Sequence, residues 1–452
     1  MQNFEIPRVA RVRQFFNSEE LEEPERELKR LLEEKELSIK KGAKIAITCG
    51  SRGIDRYVPL LKTIVAFVKE KGGIPFLVPS MGSHGGATAE GQALVLEKYG
   101  ITEETIGAPV VSSMEVNQIG TTRQGLGVYI DRNACEADGI ILFNRVKPHT
   151  SFRGRYESGL VKMLAIGLAK QKGAEATHFL RYENMAENII AVASVALEKL
   201  NVICGVSTIE NGYGRLAKVH VSRKDEIMAD EPDYLQDAWN KMARLALNEI
   251  DVLIVGAIGK EISGTGMDTN IVGRFHTNAA GGGPRTVKLG VLNITEKSEG
   301  NANGMGLADF IPRHMYEQID FGSTYVNTLT STEPNSSRLP MVVEDDRAVF
   351  KACVKLCGRI RNEEIRMVII PDTKHMDEIY LSEAAINAAC RPIRVESGFM
   401  EVPFDRDGNL SLFAEGRNFE GCNSEGCNSK GCNSEAVIPP DKMDFTQHDL
   451  NQ

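Results

Sequence analysis

The feature that most constrains the fold is an alternation of short apolar runs with amphipathic helical segments. AKIAITCG (43–50), IPFLVPS (74–80) and ADGIILFNRV (137–146) have the length and apolar content of buried strands, and helical patterns separate them. Such an alternation predicts an α/β fold with mainly parallel sheets. The pattern then repeats in three later apolar runs, which are DVLIVGAI (251–258), PRTVKLGVLNI (284–294) and MVIIPDT (367–373).

The length of 452 residues exceeds what one compact core usually accommodates, so two domains are expected. We predict an N-terminal catalytic and cofactor-anchoring α/β domain over residues 1–249. A second α/β domain over residues 250–416 would close the interdomain cleft that holds the active site. Residues 417–452 contain a threefold GCNS repeat, whose low complexity predicts a disordered tail. Cys422, Cys427 and Cys432 are five residues apart, which does not match the cysteine spacing of zinc sites.

The overall composition is that of an ordinary globular protein and excludes several classes of function. The net charge of −9, with no sustained basic stripe, argues against nucleic-acid binding. No apolar run reaches the length of a membrane span, and the N-terminus lacks the features of a signal peptide. Isolated cysteines in apolar segments, such as Cys49 and Cys204, are typical of reduced core thiols. We therefore expect a cytoplasmic protein without a membrane or nucleic-acid partner.

The first three predicted strands all end in polar turns, which carry Arg52, His84 and His149. Ligands of open parallel sheets bind at the carboxyl ends of the strands, so these side chains are expected to share one crevice. His84 lies in the glycine-rich turn MGSHGG, where it could either cap the next helix or face a ligand. His149 follows Pro148 at a strand exit, which favours a functional role, and two histidines across a pocket could exchange acid and base roles.

The segment from Lys147 to His178 adds an amine and a second histidine to this group. Lys162 has mostly apolar neighbours, so its amine either extends to water or is consumed in a covalent bond. His178 follows sixteen residues later, which corresponds to about 24 Å along one straight helix. Because one small cofactor cannot span that distance, a shared site requires a break in the helix, which we predict near Gly173.

MGSHGG and PHTSFRGRYESGLVKMLAIGLAKQKGAEATH together resemble motifs of the nickel-dependent lactate racemase family, and the resemblance extends over most of residues 40–400. It implies a racemase or epimerase of 2-hydroxyacids that carries a nickel-pincer nucleotide, a nickel-loaded pyridinium-3,5-bisthiocarboxylic acid mononucleotide. Separate cofactor-biosynthesis proteins would supply this group. The small-molecule substrate would be a 2-hydroxyacid.

The resemblance also assigns roles to individual residues. It implies that Lys162 is joined covalently to the cofactor and that His178 is the nickel ligand. His84 and His149 would form the acid/base pair. The cofactor-binding residues would be Arg52, Ser158 and Gly159.

Two features bear on the substrate. The stretch between His149 and Lys162 is about three residues longer than in the lactate enzymes and contains Arg153 and Arg155, which favours a larger polar acid such as D-gluconate. Lys297, after a strand of the second unit, is a further substrate candidate. The glycine-rich stretch GKEISGTGMDTNIVGR (259–274) is expected to be a tight turn because it lacks the Walker pattern.

The chemistry explains why such a set is needed. Direct deprotonation at C2 is unattractive because the adjacent carboxylate stabilises an enolate poorly, whereas removal and return of a hydride inverts the centre. The alternatives are a racemase of a small acid such as lactate or malate, an NAD-type oxidoreductase and a non-catalytic binding protein. The oxidoreductase is disfavoured because no strand leads into a G-x-G-x-x-G motif.

Overall fold

Two β-sheets, of five and eight strands, organise the part of the chain that this computed structural model describes, which is residues 4–179 and 181–413. A two-stranded ribbon accompanies them. The predicted tail, residues 417–452, lies outside the described residues. Within the described ranges, no helix has the length and apolar character to cross a membrane.

The strands follow one another in the order β1 (Val9–Gln14), β2 (Lys44–Cys49), β3 (Ile74–Pro79), β4 (Val116–Thr121), β5 (Gly127–Asp131), β6 (Gly139–Arg145), β7 (Val202–Glu210), β8 (Leu216–Arg223), β9 (Glu249–Val255), β10 (Arg285–Val291), β11 (Phe310–Pro312), β12 (Met341–Val343), β13 (Met367–Ile370), β14 (Glu378–Ser382) and β15 (Ile393–Val395).

The α-helical elements are α1 (Pro24–Glu34), α2 (Tyr57–Glu70), α3 (Ala89–Lys98), α4 (Glu103–Ile106), α5 (Arg132–Cys135), α6 (Leu160–Lys162), α7 (Lys170–His178), α8 (Met185–Lys199), α9 (Ile227–Lys241), α10 (Thr269–Val272), α11 (Arg313–Glu317), α12 (Phe321–Ser331), α13 (Asp346–Leu356) and α14 (Glu383–Asn387). A π-helical turn, Met163–Gly167, connects α6 towards α7. Short 3-10 turns include Gly85–Ala87 and Glu296–Ser298.

The five-stranded sheet has the order β3-β2-β6-β7-β8. Its first four strands are parallel, and β8 returns antiparallel to β7. The predicted strands at 43–50, 74–80 and 137–146 correspond to β2, β3 and β6, which are neighbours in this sheet. Their carboxyl ends therefore lie side by side.

The eight-stranded sheet has the order β12-β11-β10-β9-β13-β14-β1-β15. The five strands from β12 to β13 are parallel, and the remaining pairings are antiparallel. The predicted α/β class with mainly parallel sheets is thus confirmed. Strand β1 pairs with β14 and β15, although the sequence assigns its residues to the N-terminal unit. The division of the chain at residue 250 stays a prediction.

Both sheets are buried on both faces, as their continuous apolar strands require. In β2, Ile45 and Ile47 pack into a core with α1 and α2, whereas Ala46 packs on the opposite face towards α8. Strand β9 alternates in the same way, with Leu253 and Val255 on one side and Val252 and Ile254 on the other. This alternation fixes the register of the strands and therefore the position of the turns that follow them.

Candidate functional site

A cavity of about 300 Å³ lies at the carboxyl ends of β2, β3 and β6. The turns after these strands contribute Arg52, His84 and His149, so the structure brings these three predicted residues together. The cavity is also lined by Ser158, Lys162 and His178 from the segment that follows β6, and by residues from loops of the eight-stranded sheet, which include Lys260, Gly264, Thr265, His276 and Asn303.

The turn that carries His84 is shaped by glycine. Gly85 has φ +66°, and its backbone lies against the start of α3 so closely that a Cβ on Gly91 would stand 1.9 Å from Gly85 O. Thr88 caps α3, because its Oγ1 accepts the N–H of Gly91 at 3.0 Å. His84 is therefore not the helix cap, and its Nδ1 instead forms a hydrogen bond with Ser51 Oγ.

His149 is held by the segment that follows it. Its backbone N–H donates to Glu157 Oε2 at 2.6 Å, and its Nδ1 accepts the N–H of Ser151 at 3.0 Å. The remaining ring nitrogen, Nε2, lies 2.6 Å from Lys162 Nζ. The ring is thus fixed on one edge by backbone and faces the amine with the other.

Lys162 does not extend to bulk water, because its amine lies in the cavity against His149. Burial lowers its pKa to about 7, and the charges of Lys147 and Arg52 lower it further than the Glu157 carboxylate raises it. An amine with this pKa is largely neutral at slightly alkaline pH, which is the form that reacts as a nucleophile.

The chain between Lys162 and His178 does break, but not at Gly173. The break lies between the π-helical turn Met163–Gly167 and α7, where Lys170 has φ +53°. Gly173 lies inside α7, and a Cβ there would stand 2.3 Å from the Cβ of Ala169. The predicted break near Gly173 is thus present three residues earlier, at Lys170, and Gly173 serves close packing rather than stopping the helix.

His178 ends α7 at the cavity. Burial lowers its pKa to about 4, and the charge of Lys162 adds to this effect, so the imidazole is neutral at physiological pH. Its ring packs edge-on to Tyr182, with centroids 5.5 Å apart. Its Nδ1 is buried and has no hydrogen-bond partner among the described residues.

Both catalytic candidates are held neutral. The pKa of His149 lies well below the ordinary value because of burial and then of the charges of Lys162 and Lys147. The pKa of His84 is lowered by burial and then by Arg52 and Lys260. His84 lies deep in the protein but is exposed to the open cavity, so water in the cavity reduces the size of the pKa shift without changing its direction.

The cavity wall is strongly cationic. Its charged lining residues within the described ranges are all basic and comprise Arg52, Arg145, Lys147, Lys162 and Lys260. Burial lowers the pKa of Lys260 to about 7, with a further contribution from Arg52. The pKa of Lys147 falls to about 8 by burial and by repulsion from Arg145. Such a wall favours an anionic ligand, which would relieve the repulsion among these groups.

Three predicted substrate contacts are not brought to the cavity wall. Arg155 is exposed and lies over the ring of Tyr156, 5.6 Å from its centroid. Lys297 is exposed on the turn Glu296–Ser298. Arg153 does not line the cavity, and its guanidinium lies over the rings of Trp239 and Phe275, 4.9 and 5.3 Å from their centroids. Gly159 also lies outside the lining and instead lets the Glu231 carboxyl approach, since a Cβ there would be 2.5 Å from it.

Arg153 connects the His149 loop to the eight-stranded unit. Its guanidinium donates to His149 O at 2.6 Å and to Gly281 O at 2.9 Å. Thr269 Oγ1 donates to Thr150 O at 2.7 Å and reinforces the same contact. The stretch after His149 therefore joins the two parts of the molecule through Arg153 and Thr150, while Thr150, Ser151, Phe152 and Ser158 also line the cavity.

Two cavity residues escaped the sequence analysis. Lys260 belongs to the glycine-rich stretch that we interpreted as a tight turn, so its signal was present but was assigned to backbone geometry. His276 carried no signal in the sequence; it is 5% exposed, and its Nε2 lies 3.0 Å from Ser151 Oγ. Both belong to loops of the eight-stranded unit, which completes the wall opposite Lys162 and His178.

Comparison with known proteins places this site in context. Residues 17–189 match the family model of the lactate racemase N-terminal domain. No protein of curated function matches the sequence. A crystal structure of a protein from Thermotoga maritima is similar with a TM-score of 0.51 and 12% identity, over 80% of this chain and 99% of that one, which bears on the fold alone. The lactate racemase apoprotein from Thermoanaerobacterium thermosaccharolyticum has 14% identity and a TM-score of 0.42, over 81% and 89%, which is too low to support an argument.

Proposed function

We propose that this chain, whose residues 17–189 match the lactate racemase N-terminal domain, is an isomerase that inverts C2 of a 2-hydroxyacid. The observation that carries the proposal is the cavity that gathers two neutral histidines, Lys162 and His178 within a cationic wall. Family membership alone would support only the reaction class. The site supplies the groups that the reaction needs.

Two neutral histidines suit a reaction that must run in both directions. Inversion at C2 requires a base for the hydroxyl of each stereoisomer, and the conjugate acid must return the proton when the other stereoisomer forms. His84 and His149 come from different turns and line the same cavity. With their pKa values lowered, both rings are neutral near neutral pH. A neutral imidazole accepts a proton at the ring nitrogen that carries no hydrogen.

The substrate carboxylate is assigned to Arg52 and Lys260. Arg52 Nη1 donates to Lys260 O at 2.8 Å, which holds these two basic residues next to each other on the cavity wall. A carboxylate between them would form charge-assisted hydrogen bonds and offset the repulsion that lowers the pKa of Lys260.

The residues present fit the nickel-pincer nucleotide implied by the family. No group of three or more His, Cys, Asp or Glu side chains within the described ranges is arranged to hold a metal, so the nickel would need ligands from the cofactor itself. His178 offers a neutral imidazole, and Lys162 offers an amine that is neutral at mildly alkaline pH. Ser158 lines the same space and would bind the nucleotide, while Arg52 is assigned to the substrate carboxylate.

When bound, this group supplies a reversible acceptor for the hydrogen at C2. Lys162 would hold the group by a covalent bond, and His178 would ligate the nickel. His84 and His149 would move the hydroxyl proton. The partners implied are the separate proteins that make the cofactor, in a cytoplasmic setting.

We propose a polar sugar acid such as D-gluconate as the substrate, which would make the protein a 2-epimerase. Arg153 and Arg155 no longer support this choice. The support comes instead from hydroxyl and amide side chains on the cavity wall, which are Asn303, Asn327, Thr330, Ser331 and Ser336. These groups could bind the additional hydroxyls of an aldonate. A small acid such as lactate or malate is the alternative within the same reaction class.

A single preparation tests the proposal. The protein, produced together with the cofactor-making enzymes, should carry a mass adduct on the Lys162 peptide and should epimerise an aldonate at C2 without added NAD. Lys162→Met is the matched control, because it keeps an unbranched, uncharged side chain of similar length and removes the attachment. Persistent absence of the adduct would overturn the cofactor assignment. Activity that requires NAD would favour an oxidoreductase, and binding without turnover of any hydroxyacid in a panel would favour a binding protein.

A further inference from the structure

Lys170 combines two unfavourable features that no role proposed so far explains. Its side chain is completely buried, and its backbone has φ +53°, a conformation in which glycine is the usual residue. A glycine at this position would avoid both the strain and the burial of a charge. The reason for a lysine must therefore lie in what its ammonium group contacts.

The ammonium of Lys170 joins three separate segments. It donates to Pro79 O at the end of β3 and to Gln92 Oε1 at 3.0 Å, and it lies 3.3 Å from Asp131 Oδ2 at the end of β5. Gln92, which is also completely buried, lies in α3, which follows the His84 turn. A buried ion pair is weak evidence for stability, because desolvation opposes the attraction.

Gln92 transmits the contact to the turn that carries His84. An ammonium group can only donate, so the carbonyl oxygen of the Gln92 amide must face Lys170 and its NH₂ group must face the other way. That NH₂ group donates to Gly82 O at 2.8 Å and to His84 O at 3.3 Å. The orientation of one amide thus depends on Lys170 and in turn fixes the backbone on both sides of Ser83.

Lys170 is also the first residue of α7, the helix that His178 ends. A second bond, from Gly82 N to Gly167 O at 3.2 Å, joins the His84 turn to the segment just before α7. We propose that Lys170 and Gln92 are positioning residues that hold His84 and His178 on one cavity. This inference rests on the proposed function only for the effect on turnover; the effect on the position of His84 is independent of it.

Gln92→Glu tests the link with little change in shape. Glutamate keeps an acceptor for Lys170 but cannot donate to Gly82 O and His84 O. The matched control is Gln14→Glu, since Gln14 is 2% exposed, donates to Met376 O at 2.7 Å and lies in β1 away from the cavity. In the apoprotein labelled at its eight histidines, Gln92→Glu should shift the His84 ring resonances, and Gln14→Glu should leave them unchanged.

In the loaded enzyme, Gln92→Glu should lower kcat roughly 10- to 100-fold with little change in KM, since displaced catalytic groups lose rate more than binding. If Gln92→Glu does not fold, the double variant Lys170→Met with Asp131→Asn removes both charges together, and it should shift the His84 and His178 resonances. Unchanged His84 resonances in a folded variant would overturn the inference. If the variant shifts the His84 resonances but the loaded wild-type enzyme turns over no hydroxyacid, the link is upheld and the proposed function is contradicted.

Discussion

Nε2 of His149 lies 2.6 Å from Nζ of Lys162, while Nδ1 of the same ring accepts the N–H of Ser151. A neutral imidazole with an accepting Nδ1 carries its hydrogen on Nε2, so the amine of Lys162 is the acceptor in this pair. An ammonium group could not accept that bond. The hydrogen-bond pattern and the lowered pKa of Lys162 therefore agree on a neutral amine.

The first prediction concerns the reactivity of Lys162. With a pKa of about 7, the amine should reach half of its maximal rate of acetylation near pH 7. An ordinary solvated lysine reaches that midpoint about three pH units higher. Limited labelling with acetic anhydride across pH 6–10, read by peptide mass spectrometry, measures the midpoint. Lys162→Arg identifies the peptide by loss of the label. A midpoint near pH 10 would show that the amine is charged in the cavity.

The second prediction concerns the two histidines. His84→Asn and His149→Asn should each reduce C2 inversion by roughly 10²- to 10⁴-fold, the range expected for loss of a general acid or base. The measurement is the rate of epimer formation by the loaded enzyme. His220→Asn is the control, because His220 stacks on Tyr234 with ring centroids 4.1 Å apart and does not line the cavity. An active His149→Asn variant would remove His149 from the mechanism.

The third prediction distinguishes Lys260 from Lys297. Lys260→Met should raise KM for the substrate by roughly 10- to 100-fold, since a hydrogen bond to a charged group contributes about 1.5–3 kcal/mol. Lys297→Met should leave KM unchanged, because Lys297 lies outside the cavity lining. Steady-state kinetics over a range of substrate concentrations decides between them. The reverse result would restore the original sequence-based candidate.

The fourth prediction concerns Glu231, which accepts the N–H groups of Leu160 and Val161 at 2.6 and 3.1 Å. Burial raises the pKa of its carboxyl from 4.5 to about 7, against the effect of the two N–H groups. The folded state therefore retains a proton that the unfolded state releases. The resulting stability is present below pH 4.5 and is lost as pH rises through 7, by about 3 kcal/mol in total.

Glu231→Gln keeps an acceptor for both N–H groups but cannot ionise. The free energy of unfolding of Glu231→Gln minus that of the wild type should increase by up to about 3 kcal/mol between pH 5 and pH 8, because only the wild type loses stability. Urea unfolding at both pH values measures the difference. Glu226→Gln provides a control of opposite sign, because the bond from Lys35 lowers the pKa of Glu226. An equal difference at both pH values for Glu231→Gln would contradict the assigned pKa.

Much of the fold and part of the site could be predicted because they depend on local pattern. Buried parallel strands are continuous apolar runs, and the residue after each run lies at the edge where ligands bind. This reasoning located Arg52, His84 and His149 correctly. It gave no information about which loop of the other sheet faces them, so it selected Lys297 after β10 instead of Lys260 after β9.

The position of the helix break depends on contacts between distant segments. Glycine is a common helix stop, but the break occurs at Lys170 rather than at Gly173. The ammonium of Lys170 contacts Pro79, Gln92 and Asp131, which lie 91, 78 and 39 residues earlier in the sequence. Local propensity cannot register such partners. The sequence did not predict the contacts of Arg153 for the same reason, because its guanidinium contacts Gly281 O and the ring of Trp239, which are distant in the sequence.

The placement of β1 has a consequence for the order in which the molecule forms. Strand β1 is synthesised before every other described strand, yet it pairs with β14 and β15, which are the last described strands. The five-stranded sheet has all its strands once residue 223 has left the ribosome, whereas the opposite cavity wall belongs to a sheet that needs residues 393–395. During synthesis, the half that contains Lys162 and His178 can therefore fold first, while β1 remains unpaired until β14 and β15 have been made.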